Sequence, residues 1–201
     1  MSDATPTRSV VLEMKDERRA MHDGYVFLDE KCLLLAAEIL RELQRYGGLR
    51  RDFIELHSAA IAALEAAIGR HGLHGLQVYP AADLAASKLR DTRRAVMGVR
   101  LQDVVLDVGS LPALPAMDPS PEAEACRRAF AALVAAAGPL AASSGNLERL
   151  SLEYQRSARR ARALQDVLLP ELDRAVYEIE SRLQELEQED AIWMRQKLHE
   201  R

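Results

Sequence analysis

Few residues in this chain combine the type and the spacing that chemistry needs. His71 and His74 could be read as metal ligands, but they sit in a glycine-rich helix end (GRHGLHG) with no Cys or carboxylate in place to complete a set. A surface loop accounts for them better. Acidic groups such as Asp16/Glu17 and Glu185/Glu187/Glu189 lie along long helical patterns. They read as solvated faces, because a general acid/base pair must converge in a pocket. No G-x-x-x-x-G-K-[ST] loop, no G-x-G-x-x-G after a strand and no H-E-x-x-H is present. The sequence therefore assigns no catalytic, cofactor-binding or metal residue. Cys32 and Cys126 form neither a disulfide framework nor a zinc spacing, and Cys32 falls where a small hydrophobe is expected.

One cluster is dense enough to be a binding feature. Arg156, Arg159, Arg160 and Arg162 fall within the run RSARRAR. On a helix Arg156, Arg159 and Arg160 share a face by i,i+3 and i,i+4 spacing. The plain reading is an exposed basic face with ion pairs to Glu153 or Asp166. The functional reading is a docking patch for an acidic partner, with anionic lipid a third possibility.

The elements that would carry such a patch are legible from periodicity. Alternating steps of three and four from Val11 pass through Met14, Arg18, Met21, Tyr25, Leu28, Cys32, Leu35, Ile39, Glu42, Tyr46, Leu49, Phe53, Leu56, Ala60, Ala63 and Ala67. All but Arg18 and Glu42 are apolar. That is the 3.5-residue repeat of a coiled-coil seam, and a free helix would drift off it by about 20° per heptad. The predicted helix spans 10–68, a rod of roughly 85–90 Å, capped by Thr7 or Ser9. Gly47-Gly48 marks a soft point in it or a break between two helices.

Residues 69–119 form the middle segment. Leu76–Tyr79 reads as a short strand ending at Pro80, and residues 82–93 as helical or irregular. Val96–Val108 reads as extended, with Gly98 a bulge or turn. Ser110–Pro119 is a proline-punctuated linker. A second helix spans 120–198, with Ser120 as N-cap, Pro121 at the first helical position and Glu122 favourable to the dipole. Gly138-Pro139 and Ser143–Gly145 should kink or interrupt it near 138–145.

From Leu147 a second seam runs through Leu150, Tyr154, Ser157, Ala161, Leu164, Leu168, Leu172, Val176, Ile179, Leu183, Leu186, Asp190, Trp193 and Lys197. The steps from Leu164 to Leu168 to Leu172 are four and four, a stutter that falls beside Pro170. The expected fold is mainly α: a long antiparallel two-helix coiled coil of the N- and C-terminal helices, with a small β-hairpin or irregular middle. Matching the seams sets Arg18 against Asp190 and Glu42 near Asp166, with Arg162 one turn away. These charges either fix the register or reach to solvent.

Composition sets outer limits. The chain has 201 residues, 48% hydrophobic and 4% aromatic, with a net charge of −4. Such a balance favours long helices in close contact over a thick core, and it lacks the basic excess of a nucleic-acid binder. The N-terminal stretch has no apolar signal core, and no apolar run approaches the roughly 20 residues a bilayer needs. A cytoplasmic chain without direct membrane insertion is expected.

Four stretches in order resemble one family. Pro6-Thr7-Arg8 precedes the long helix. GYVFLDEKCLLL matches a G-x-x-L-L-K-x-K-R-D-x-L pattern at Gly24, Leu28, Lys31 and Leu35. Met97-Gly98-Val99 matches a Met-Gly-Val turn in an extended segment. SARRARALQDVLLPEL matches T-x-R-R-V-N-A-L-E…I-P-x-L at Ser157, Arg159, Arg160, Ala163, Leu164, Pro170 and Leu172. Arg162 stands where Asn is usual and Gln165 where Glu is usual. The layout is similar to the D subunit of the vacuolar/archaeal-type rotary ATPases, bacterial branch.

The resemblance implies a central-stalk rotor that performs no phosphoryl transfer and needs no cofactor. It couples ATP hydrolysis or synthesis in a hexamer of catalytic and non-catalytic nucleotide-binding subunits to ion translocation by a membrane ring. It also implies two rotor partners, the small F subunit and a funnel-shaped subunit, and a cytoplasmic position peripheral to the membrane. Met97, Gly98, Val99, Arg156, Arg159 and Arg160 are the expected contact residues. A coiled-coil adaptor unrelated to ATPases is the alternative.

Overall fold

A computed structural model describes residues 7–79, 87–108, 116 and 118–199. The elements are helix α1 (Arg8–Gln77), strands β1 (Lys88–Val96) and β2 (Val99–Asp107), helix α2 (Pro121–Ala163), a π-helical turn (Leu164–Leu168) and helix α3 (Leu169–His199). They divide into two compact units, Met1–Leu33 with Tyr154–Arg201, and Leu34–Glu153. In both units α1 runs antiparallel to the returning helix.

In the first unit Thr7 caps α1, its Oγ1 accepting from the Val10 N–H at 3.3 Å. Burial follows the predicted seams at Val11, Ser157, Ala161 and Val176, while the seam residues Tyr154 and Leu168 are exposed. Partner numbers fall as α1 advances. Arg8 pairs with Glu187 at 2.7 Å, Lys15 with Glu180 at 2.5 Å, and Arg18 with Asp173. Arg18 therefore does not meet Asp190, which lies 17 residues further along the same helix (190 − 173), or about 25 Å at the helical rise. Arg18 is half exposed, so the seam opens there and the guanidinium reaches the flank of α3.

The stutter coincides with the π turn, where the Leu169 N–H bonds to the Leu164 C=O, five residues back. Pro170 explains the place. Its ring would strike the carbonyl four residues earlier and it has no N–H to give it. One widened turn accommodates the ring without ending the helix. The second seam does not hold to its predicted end. Leu186, Asp190, Trp193 and Lys197 are all exposed, because among the described residues α1 begins at Arg8, opposite Glu187.

In the second unit every predicted seam residue of α1 from Leu35 to Ala67 is buried or half-buried. The helix passes through Gly47-Gly48 without a break and through Gly69; its dihedrals depart only at Gly72 (φ 70°, ψ 165°). Leu76-Gln77 is thus helical, not the strand that alternation suggested, since a pattern so short cannot separate the two periods. Residues 80–86 and most of the proline linker (109–115 and 117) lie outside the described residues.

The strands pair antiparallel, Val96 opposite Val99 and Lys88 opposite Asp107. Met97 (φ 47°) and Gly98 (φ 84°) make the two-residue turn. Positive φ at both positions is the type I′ geometry that matches strand twist. Leu35, Val99, Leu101 and Leu150 form the core cluster, joined by Ile39, Val96 and Met97. Each such side chain contributes about 1.5–3 kcal/mol when fully buried.

Two residues of α2 hold the hairpin. Asn146 reads β2 as a neighbouring strand would. The Gln102 N–H donates to its Oδ1 at 2.8 Å, and its Nδ2 donates to the Gln102 C=O at 2.8 Å. Gly138 admits β2, because a Cβ there would lie 3.1 Å from Leu106 Cβ. The helix is not interrupted at 138–145; its glycine is a notch for the strand. At its start Ser120 Oγ accepts from the Ala123 N–H at 3.1 Å, the predicted cap.

Three outcomes test this packing. Asn146→Ala leaves both backbone groups of Gln102 without protein partners and should lower unfolding free energy in urea by about 2–3 kcal/mol. Gly138→Val should lower the melting temperature through overpacking of about 1–3 kcal/mol. Gly48→Ala, with nothing within 4 Å of the added Cβ, should raise it through about 1 kcal/mol of helix propensity.

Candidate partner-binding sites

The densest polar site is a charged knot on one flank of the hairpin. Glu38 and Glu42 are 4% and 2% exposed. Arg94, from β1, reaches Glu38 Oε1 at 2.6 Å and Glu42 Oε2 at 3.6 Å. Arg41 donates to Glu38 Oε2 at 2.8 Å. Ser143 Oγ and Asn146 Nδ2 donate to Glu42 Oε1 at 2.7 and 3.4 Å. Arg45 pairs with Asp103, which lies 3.9 Å from Arg94. Every carboxylate oxygen of Glu38 and Glu42 has a partner, so the knot presents no open group to a substrate. Glu42 is on the seam as predicted, but it meets Arg94 and α2 residues near 143–146; Arg162 and Asp166 are not its partners. The charged seam position was the visible signal. Arg94 lies in β1, between the stretch 82–93 read as helical or irregular and the extended stretch from Val96, where no pattern singled it out.

His71 is not a loop residue. Its side chain is 6% exposed. Its Nε2 lies 2.6 Å from Ser120 Oγ and its Nδ1 3.7 Å from Asp118 Oδ2. The trio has the residue types of a hydrolytic triad but not its geometry. Ser120 is buried and its oxygen already caps α2. The His71–Asp118 separation exceeds a hydrogen bond. The contact instead ties the end of α1 to the start of α2. Among the described residues no His, Cys, Asp and Glu group could hold a metal. Burial pushes both thiols upward, with Asp29 adding at Cys32. They stay protonated near neutral pH and are poor nucleophiles.

The expected contact residues fall in different settings. Met97 and Gly98 form the hairpin tip, with Gly98 exposed and Met97 half-buried against the core. Val99 is 7% exposed and belongs to the core cluster below the tip. Arg156, Arg159 and Arg160 are exposed, while Ser157 and Ala161 beside them are buried. The basic face therefore points away from the seam. Arg159 Nε donates to the Gln155 carbonyl at 3.3 Å.

Periodicity also missed a second apolar stripe on α1. Leu40, Leu43, Ile54 and Ile61 are 62%, 52%, 48% and 42% exposed. Leu40, Ile54 and Ile61 stand at multiples of seven, one position past the seam. A stretch within Pro121–Lys197 also has the length and mean hydropathy of a bilayer span, without being an unbroken apolar run. Its alanines raise hydropathy, while its Ser143 and Asn146 serve the knot.

The sequence profile of a family described as the D subunit of ATP synthase matches residues 10–197. The chain is 28% identical to the A-type ATP synthase D subunit of Methanopyrus kandleri over 195 residues, covering 96% of this chain and 84% of that one. It is 25% identical to the A-type ATP synthase D subunit of Pyrococcus furiosus, covering 92% and 88%. Identity to the V-type ATP synthase D subunit of Thermotoga neapolitana is 21%, covering 92% of each chain. With a match over nearly its whole length, on a fold of two long antiparallel helices and one small hairpin, this chain belongs to the ATP synthase D-subunit family.

Proposed function

We propose that the chain is the central-stalk rotor of a rotary ATPase, a non-catalytic subunit peripheral to the membrane. In this reading it couples ATP hydrolysis or synthesis in a nucleotide-binding hexamer to ion movement through a membrane ring. One observation carries it beyond family membership. The α1 seam is covered at every position from Val11 to Ala67 except Arg18, while chemistry-bearing side chains are spent on internal contacts. A transmitter of torque needs a continuous hydrogen-bonded helix with a matched partner; it needs no converging pocket.

The partners follow by chemistry. The exposed Arg156, Arg159 and Arg160 suit an acidic surface, which we assign to the hexamer. The Met97-Gly98 tip and the stripe of Leu40, Leu43, Ile54 and Ile61 suit an apolar partner, which we assign to the small F subunit of the rotor. A funnel-shaped subunit would join this assembly to the membrane ring.

Purification of the tagged chain from its native cell should recover nucleotide-binding subunits and ATPase activity. An Arg159→Glu/Arg160→Glu double substitution should reduce that recovery at least several-fold without changing the melting temperature. Recovery of the chain alone, or full coupled pumping by the double variant, would remove the assignment. Met97→Asn keeps a two-residue I′ turn, because Asn-Gly is favoured there. It should weaken binding of the small rotor partner by roughly 1–2 kcal/mol, measured by calorimetry; unchanged affinity would show that the tip makes no contact.

A further inference from the structure

The two edges of the hairpin are treated differently. Gln102 gives both its backbone groups to Asn146, so it bonds to neither group of Arg93, its partner in register. In an antiparallel ladder such pairs alternate with bonded ones. The backbone groups of Leu89, Asp91, Arg93 and Ala95 therefore point away from β2. Among the described residues nothing pairs with them, and Lys88–Ala95 is exposed on every residue. One edge is filled by an amide side chain that imitates a strand. The other is a nine-residue open edge.

We infer that the open edge of β1 is a docking site for an extended, acidic segment of a partner protein, which adds as a third strand. Main-chain hydrogen bonds supply affinity in this mode and side chains the specificity. The strand KLRDTRRAV carries Lys88, Arg90, Arg93 and Arg94 against one acid, Asp91. Asp91 is engaged by Arg93 at 2.8 Å, and Arg94 points to Glu38. Lys88 and Arg90 are left to select the incoming strand. A second copy of the chain is a poor occupant, because pairing β1 with itself sets basic residues against basic ones. The same charges keep the edge from aggregating. The inference rests on the hairpin alone and does not depend on the rotor reading.

The test uses the full chain and a blocked peptide of alternating Glu and Val. Hydrogen exchange at the amides of Leu89, Asp91, Arg93 and Ala95 should slow by roughly tenfold or more on peptide addition, while Arg90, Thr92 and Arg94 change little. Arg93→Pro removes one outward N–H, which an edge position tolerates, and should abolish that protection. The same peptide N-methylated on alternate amides should fail to protect the unmodified chain, so the result does not hinge on one variant folding. No protection, equal protection by a Lys-Val peptide, or dimerisation of the free chain that Arg93→Pro abolishes would overturn the inference.

Discussion

Glu42 is the residue on which the unit Leu34–Glu153 depends. A carboxylate 2% exposed would cost several kcal/mol if left alone. Here Ser143 and Asn146 donate hydrogen bonds to it and Arg94 forms an ion pair with it. A seam of leucines and alanines tolerates sliding, because a shift by one heptad replaces one apolar contact with another. Glu42 does not tolerate it. One register alone places Ser143 and Asn146 against its oxygens and leaves Asn146 an amide edge turned to Gln102. A buried polar group of this kind trades stability for a unique alignment. Helix pairing and hairpin docking are thus parts of one event: the side chain that completes Glu42 also fills the edge of β2.

The other unit sets its register by weaker means. Its ion pairs are half exposed or more at most ends, and such pairs contribute about 0–1 kcal/mol each. They choose among alignments that burial of Val11, Ala161 and Val176 leaves close in energy. The π turn adds a phase correction. Pro170 forbids one ordinary bond, the widened turn shifts the face of the following residues, and the seam resumes at Leu172. Leu164, the first residue of the widened turn, sits 3.9 Å from where a Cβ on Gly24 would be, an ordinary packing contact with α1.

Most of the helical architecture was legible because a seam is a long, redundant signal. Seventeen positions pointed to one face, and Gly47-Gly48 could not outweigh the packing on both sides. The same logic located the stutter, since sequence phase and proline chemistry fell together. Where one element had no period of its own, reading failed. β1 is exposed on both faces, so KLRDTRRAV shows no alternation, and its strand state is imposed by β2 and the turn. Gly138 looked like a breaker because its neighbour Leu106 is distant in sequence. Register was misplaced for a related reason. Aligning apolar seams gives many equivalent answers, and the knot that decides among them involves Arg94, invisible to helix periodicity. The candidate contacts divided likewise: the arginines were readable as a face, whereas the burial of Val99 needed the core.

What the exterior leaves uncovered says most about how the chain works. Leu40, Leu43, Ile54 and Ile61 are spaced as a helix face, not scattered, and clustered exposed apolar area of that kind marks interaction surfaces. The basic face at Arg156–Arg160 differs from it in chemistry, and the open edge of β1 differs again by offering backbone. Three unlike surfaces suit three unlike contacts, which an assembly component needs and a free-standing enzyme does not. The folded chain is therefore stabilised by whatever binds it: each partner that recognises only the folded form adds to stability by mass action. Glu42 can then be seen as fixing the alignment in advance, so that binding energy from partners is not spent on choosing a register.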